Sequence, residues 1–256
     1  MTSHKEGRRG IFFDLDNTLL PTYPCHLNAL NHVVYYFKKE YNFTGEQSNK
    51  IIESFRELNL ESPVDPNNLL DFTAWRKLLW QKAVKINAGT DINVDIDKLH
   101  ALYEDEFFKD MIFDKEAVSV LKNLRDEFKL IIITNGDSTW QKKKIERCNA
   151  MKYVDDVVIG GDHKLRKPTA ELFLIACRKN GLEPKHCVIV GDKMSTDILG
   201  GRNAGFKWTV LLSSNYGKNH NDTFVKPDFC IKQLDKLHDV LEKIGWESHD
   251  SHNHHH

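Results

Sequence analysis

In "GIFFDLDNTLLPT", residues 10–22, an apolar run ends in two aspartates one residue apart, Asp14 and Asp16. Other apolar runs end in polar residues too: Thr134 and Asn135 close "KLIIITN", and Asp192 closes "HCVIVGD". Lys167 follows the run "DVVIGG", in "KLRKPTAELF". If these residues meet, the carboxylates repel one another and raise at least one pKa unless a cation stands between them. Magnesium suits such a place, because it takes oxygen ligands from a few carboxylates together with substrate phosphate. Asp14, Asp16 and Asp192 are the expected ligands. The arrangement permits a carboxylate to attack a phosphate monoester, with Asp14 as nucleophile and an aspartyl-phosphate as the product of the first step. Asp16 then gives a proton to the departing alkoxide and later takes one from water. Thr134, Asn135 and Lys167 would hold phosphate oxygens through hydroxyl, amide and ammonium groups.

Each residue also has a plainer reading. An aspartate after a strand is often only a turn or helix cap, and it is the D-x-D-x-T pattern with the other elements in order that favours chemistry. The hydroxyl of Thr18 ties down the turn rather than touching substrate. Thr134 and Asn135 are turn formers in their own right. Lys167 shares its loop with Lys164 and Arg166, and its position before Pro168 and a helix start singles it out. Asp197, in "GDKMSTD", falls near a helix start where an acidic residue is favourable for dipole reasons alone, so it is expected to support the metal ligands from behind. The glycines of "GGRNAG" read as a helix end closed by Gly205. The basic run "QKKKIER", residues 141–147, reads as a solvated helix face.

The elements that must bring these residues together are legible as alternating patterns from residue 112 onward. Helices are expected at 115–127, 138–149, 169–180 and 195–204, and strands at 129–135, 156–161, 186–192 and 207–212. An opening strand at 8–13 joins them. Short apolar runs separated by amphipathic helices mark strands covered on both faces, hence an α/β fold with a doubly wound, parallel, Rossmann-like sheet. Ligands bind at the carboxyl edge of such a sheet, where every candidate falls. Between residues 21 and 111 the pattern is helical throughout, in "HLNALNHVVYYFKKEY", "QSNKIIESFRELNL" and "LLDFTAWRKLLWQKAV", with a loop at 59–68. The expected organisation is therefore a first core strand in 1–20, a helical insertion over 21–111, the rest of the core over 112–248, and a disordered His-rich tail at 249–256.

Composition narrows the classes. The 36 basic and 37 acidic residues among 256 leave no field that would draw in nucleic acid or an anionic membrane, so a small partner is favoured. Five scattered cysteines without a C-x-x-C pair, and no apolar leader or membrane-length run, point to a reducing, cytoplasmic compartment.

"FFDLDNTL", "IIITNGD", the lysine of "RKP" and "VIVGDKMSTD", in that order, resemble the four motifs of the haloacid dehalogenase superfamily. The resemblance implies magnesium-dependent phosphatase activity, with Asp14 as nucleophile, Asp16 as acid and base, Thr134 and Lys167 on phosphate, and Asp192 on metal. It implies that the helical insertion is a C1 cap that closes over the site and selects substrate. Dehalogenase members lack the acid/base aspartate, so Asp16 argues against that branch. The expected substrate is a small phosphorylated sugar or sugar acid. The alternatives are another capped member, such as a phosphoglycolate phosphatase or a phosphosugar mutase, and a binding module without turnover. A sugar acid brings a carboxylate, for which Arg56, Arg76 and Lys77 are candidates, although solvated surface charge explains all three on amphipathic helices.

Overall fold

Strand β1, Gly10–Phe13, is buried along its whole length and has a parallel partner on each side. Phe13 lies level with Ile132 of β2, Lys129–Thr134, and with Val190 of β4, Cys187–Gly191. With β3, Asp156–Ile159, β5, Trp208–Leu212, and β6, Phe229–Ile231, the order is β3-β2-β1-β4-β5-β6, and every pair is parallel. This computed structural model describes residues 7–213 and 225–246. The expected tail at 249–256 lies outside the described residues.

The order reverses at β1, which makes its carboxyl end a topological switch point, the usual place for a ligand in a doubly wound sheet. Side chains on one face of the sheet, Phe12, Ile131, Ile133 and Ile189, pack against Leu172 and Phe173 of a helix at Ala170–Lys179. Full burial of each such side chain contributes roughly 1.5–3 kcal/mol, which holds the strand ends in fixed register.

The described residues divide into two compact units, those up to 21 with those from 112 onward, and residues 22–111. In the second unit the helices α1, Thr22–Tyr41, α2, Gly45–Glu61, α3, Phe72–Ala88, and α4, Ile96–Lys109, pair as α1 with α4 and α2 with α3. Phe55 and Trp80 stack at 3.9 Å between α2 and α3. Side chains of Thr44, Asp71 and Asp95 accept the first free N–H groups of α2, α3 and α4. Sequence patterning names three of these helices; α4 is the fourth, with Leu99, Tyr103 and Phe107 buried at four-residue spacing. Arg76 departs from the surface role expected of it. Its guanidinium lies over Phe55 at 5.2 Å, Phe72 at 5.3 Å and Tyr103 at 5.5 Å. Burial pulls its pKa down, and Tyr103 opposes the shift. Arg56 is exposed, and Lys77 pairs with Asp97 at 3.0 Å near the surface.

In the first unit the helices α5, Lys115–Leu124, and α6, Ser138–Arg147, are N-capped by Asp114 and Asp137. The expected strand at 156–161 ends at Ile159, and Gly160–His163 form a single helical turn, α7. A Cβ on Gly161 would lie 2.5 Å from the Gly136 carbonyl oxygen, so only a glycine admits the approach of these two loops. The helix at 170–179 is α8. The expected helix at 195–204 is two pieces, a π-helical turn at Met194–Ile198 and α9, Leu199–Ala204, closed by Gly205 at φ 80°. Strand β6 and a final helix α10, Leu237–Lys243, add to the expected elements; three residues are too few for a strand to register as a pattern.

Candidate active site

The backbone ladder decides where the site begins. Because Phe13 is level with Ile132 and Val190, Asp14 emerges beside Ile133 and Gly191, and its N–H donates to the Val190 carbonyl at 3.0 Å. Its carboxylate is held at both oxygens. Oδ1 accepts from Lys167 Nζ at 2.9 Å and Oδ2 from the Thr18 hydroxyl at 3.3 Å. Lys167 reaches Asp14 from a loop clamped by Asn135, whose Oδ1 accepts from the Lys167 N–H at 2.6 Å while its Nδ2 donates to the Lys167 carbonyl at 3.2 Å. The remaining ammonium hydrogens of Lys167 go to the Ile133 carbonyl at 2.9 Å and to Asp197 Oδ1 at 2.7 Å. Burial works against the charge on Lys167, but Asp14 and Asp197 outweigh it and raise its pKa above the ordinary value.

Asp197 is fully buried and lies in the π-helical turn, a geometry recurrent at functional sites. The extra residue of that turn aims its carboxylate at Lys167 and lets Oδ2 accept from the Lys193 N–H at 3.2 Å. Burial, then Asp14, lifts its pKa to about 6 against the pull of Lys167. Gly191 makes room for it, since a Cβ there would lie 2.3 Å from the Asp197 carboxyl carbon.

Asp192 completes a group in which one carboxylate oxygen each from Asp14, Asp192 and Asp197 lie within 4.8 Å of one another. Its pKa is pushed up to about 9, first by burial and then by Asp14 beside it. Its Oδ1 is buried and, among the described residues, has no hydrogen-bond partner. Three ionised carboxylates around one ammonium would leave two net negative charges. An orphaned carboxylate oxygen, an all-oxygen donor set and a twofold charge deficit fit a hard divalent cation, and Asp14, Asp192 and Asp197 could hold it.

Asp16 lies elsewhere. Its Oδ1 accepts from Lys144 Nζ at 2.9 Å and its Oδ2 from Gln141 Nε2 at 3.0 Å, so its carboxylate is directed toward α6, whereas Asp197 lies with Asp14 and Asp192. Gln141 also donates to Thr134 Oγ1 at 2.7 Å, and the Thr134 hydroxyl donates to the Asn135 carbonyl at 3.2 Å. The run 141–147 is therefore not a uniformly solvated face. Gln141 and Lys144, three residues apart, share the buried side of α6. The amide of Asn135, expected on phosphate, is spent at both ends on the Lys167 peptide.

The structure thus gathers Asp14, Thr18, Lys167, Asp192 and Asp197 around one point, with Asp16, Thr134 and Asn135 in the adjoining hydrogen-bond network. Gln141, Lys144 and Gly191 are the additional residues, and the three-residue spacing on α6 is the one sequence signal for the first two.

Comparison with known proteins adds to this geometry. The sequence pattern of the family described as "Haloacid dehalogenase-like hydrolase" matches residues 11–211. The chain is 32% identical over 237 residues to N-acylneuraminate-9-phosphatase of Homo sapiens, covering 92% of this chain and 94% of that protein. It is 28% identical over 234 residues to pyrimidine 5'-nucleotidase YjjG of Escherichia coli, covering 91% and 97%. Among solved structures, a putative HAD-hydrolase, YfnB of Bacillus subtilis, bound to magnesium, superposes with a TM-score of 0.67 at 21% identity, covering 92% of this chain and 99% of that one.

Proposed function

The chain belongs to the haloacid dehalogenase-like hydrolase family, and on that premise we propose that it is a magnesium-dependent phosphomonoesterase acting on a small sugar phosphate through an aspartyl-phosphate, with N-acylneuraminate 9-phosphate as substrate. The observation that carries the phosphatase reading is the Asp14 carboxylate, pinned by Lys167 and Thr18 beside the orphaned oxygen of Asp192. The substrate rests on the similarity to the human phosphatase and on the stretches "TNGD", "QKKKIERC", "VVIGGDHKLRKP" and "DILGGRNAGFKWTV", which resemble that group.

Residues of this chain divide the work. A carboxylate oxygen of Asp14 forms a bond to phosphorus as the ester P–O bond breaks, and the leaving alkoxide takes its proton from Asp16. Water then attacks phosphorus, giving a proton to Asp16, and the bond from phosphorus to Asp14 breaks to release inorganic phosphate. Lys167 and Thr18 hold the nucleophile in one orientation, so little of the barrier goes into finding the geometry. The charge of Lys167 favours the phosphate oxygens, and the Thr134 hydroxyl would join it by rotating away from the Asn135 carbonyl that it donates to at 3.2 Å. A magnesium ion held by Asp14, Asp192 and Asp197 would offset the mutual repulsion of carboxylate and phosphate and polarise the phosphoryl group.

The five cysteines are all free, which supports a reducing, cytoplasmic setting, and among the described residues no helix is long and apolar enough to cross a membrane. The test is a hydrolysis screen across sugar phosphates that includes N-acetylneuraminate 9-phosphate, with and without magnesium. Release of inorganic phosphate from that ester, lost with Asp14→Asn, is expected. An isomerised sugar phosphate would point to a mutase, and preference for phosphoglycolate to a different capped phosphatase.

A further inference from the structure

Of the aspartates Asp14, Asp16, Asp192 and Asp197, three converge and the fourth, Asp16, is held by two side chains from a single helix face. We propose that Gln141 and Lys144 are positioning residues that hold the Asp16 carboxylate apart from the Asp14, Asp192 and Asp197 group, keeping it for proton transfer instead of metal binding; this rests on the reading of Asp16 as acid and base.

An aspartate two residues from Asp14 would be open to recruitment by a divalent cation held there unless other groups kept its carboxylate. Here each oxygen of Asp16 has its own donor, Lys144 Nζ on Oδ1 at 2.9 Å and Gln141 Nε2 on Oδ2 at 3.0 Å, which fixes the position and the plane of the carboxylate. The donors are themselves buried. Lys144 and Gln141 are 4% and 2% exposed, whereas the Asp16 side chain keeps 28% of its surface open, so the held group is the accessible member. Gln141 has a second anchor in Thr134 Oγ1 at 2.7 Å. Both donors project from α6, whose start is fixed by Asp137 accepting from the Trp140 N–H at 2.9 Å. Gly136, at φ 119°, leads the chain into that helix, and a Cβ there would press on Gln141 at 3.2 Å. A buried lysine whose charge is partnered by a partly exposed carboxylate serves stability poorly, because desolvation offsets much of the attraction. Orienting a reacting group is the role that needs such rigidity.

The experiment compares wild type, Lys144→Met, Lys144→Arg, Asp16→Asn and the double variant Asp16→Asn with Lys144→Met on two magnesium-supplemented substrates. One is a sugar phosphate, whose alkoxide leaving group needs a proton; the other is p-nitrophenyl phosphate, whose leaving group does not. General acid and base catalysis is worth about a hundredfold or more, so Lys144→Met is expected to lower kcat on the sugar phosphate by about tenfold to a hundredfold with KM little changed. The initial burst of p-nitrophenolate should keep its wild-type rate while the steady state slows. Lys144→Arg should recover part of the loss, and the double variant should be no worse than Asp16→Asn alone. A Lys144→Met enzyme with wild-type kcat on the sugar phosphate overturns the inference, as does one that slows burst and steady state equally. If Lys144→Met does not fold, Gln141→Leu takes the same measurements, and the same two results support or overturn the inference. Unimpaired Asp16→Asn, or wild type without hydrolysis of either ester, overturns the reading of the site itself; impaired Asp16→Asn beside unimpaired Lys144→Met overturns the inference alone.

Discussion

Lys167 and Asp197 face each other out of contact with solvent, Nζ 2.7 Å from Oδ1, and the same ammonium reaches Asp14 at 2.9 Å. One cation therefore fixes the orientation of the Asp14 carboxylate and neutralises a buried carboxylate beside it. Lys167→Met should leave two buried carboxylates facing each other. The expected loss is about 3–5 kcal/mol, read by urea denaturation, because removing one partner strands a buried charge. A loss under about 1 kcal/mol would mean that solvent already screens the pair.

Gly191 is predicted to tolerate no side chain. The Cβ of Gly191→Ala would meet the Asp197 carboxyl carbon at 2.3 Å, with the whole side chain locked in the π-helical turn. Destabilisation of about 1–3 kcal/mol is expected, the range for overpacking, together with loss of turnover. Thermal unfolding and a phosphate-release assay check the two halves separately.

Magnesium should stabilise the folded chain through Asp192. A ligand that binds only the folded state adds about 2.7 kcal/mol at a hundredfold excess over its Kd. Melting temperature in magnesium chloride should exceed that in sodium chloride of equal ionic strength, and the difference should vanish in Asp192→Asn. A shift that survives the substitution would move the cation elsewhere.

Acid stability carries a signature of Asp65, in the loop between α2 and α3. Its carboxylate accepts from the N–H groups of Asn67, Leu69 and Leu70 at 2.8–2.9 Å, and these bonds hold its pKa below the ordinary 3.8. A depressed folded pKa means stability present above the unfolded value and lost as pH falls through the folded one. Wild type should therefore exceed Asp65→Asn in stability at neutral pH, and the gap should close as the pH is taken below about 4. A gap independent of pH would mean that the charge contributes nothing.

Arg76 should matter to the helical unit as packing. Arg76→Ala empties a place bounded by Phe55, Phe72 and Tyr103, and a loss of about 2–4 kcal/mol is expected from the buried stem and the desolvated cation over aromatic faces. Denaturation of the variant checks it; an unchanged midpoint would return Arg76 to the surface role that amphipathic spacing suggests.

These residues mark where sequence reasoning succeeds and stops. Asp14, Thr134 and Asp192 are legible because an apolar strand followed by a polar residue has a fixed direction, and a parallel register brings such ends together. Side-chain direction is not encoded that way. Whether Asp16 turns toward Asp192 or toward Lys144 depends on a helix 125 or more residues away, and both choices read as D-x-D. An ordinary helix start would leave Asp197 behind Asp14 and Asp192; the π-helical turn, which no periodicity announces, carries it in among them. Arg76 and Lys144 read as solvated charges because hydropathy assigns every cation to water, whereas aromatic faces or a carboxylate can hold one inside.

In the proposed reaction Asp14 carries the phosphoryl group. In Asp16→Asn, p-nitrophenyl phosphate can still phosphorylate Asp14 because its leaving group needs no acid, while release is slowed for want of a base. Acid quenching followed by borohydride reduction and peptide mass spectrometry should then find homoserine at position 14. An unmodified Asp14 accompanied by a burst of p-nitrophenolate, or homoserine at another aspartate, would contradict the account.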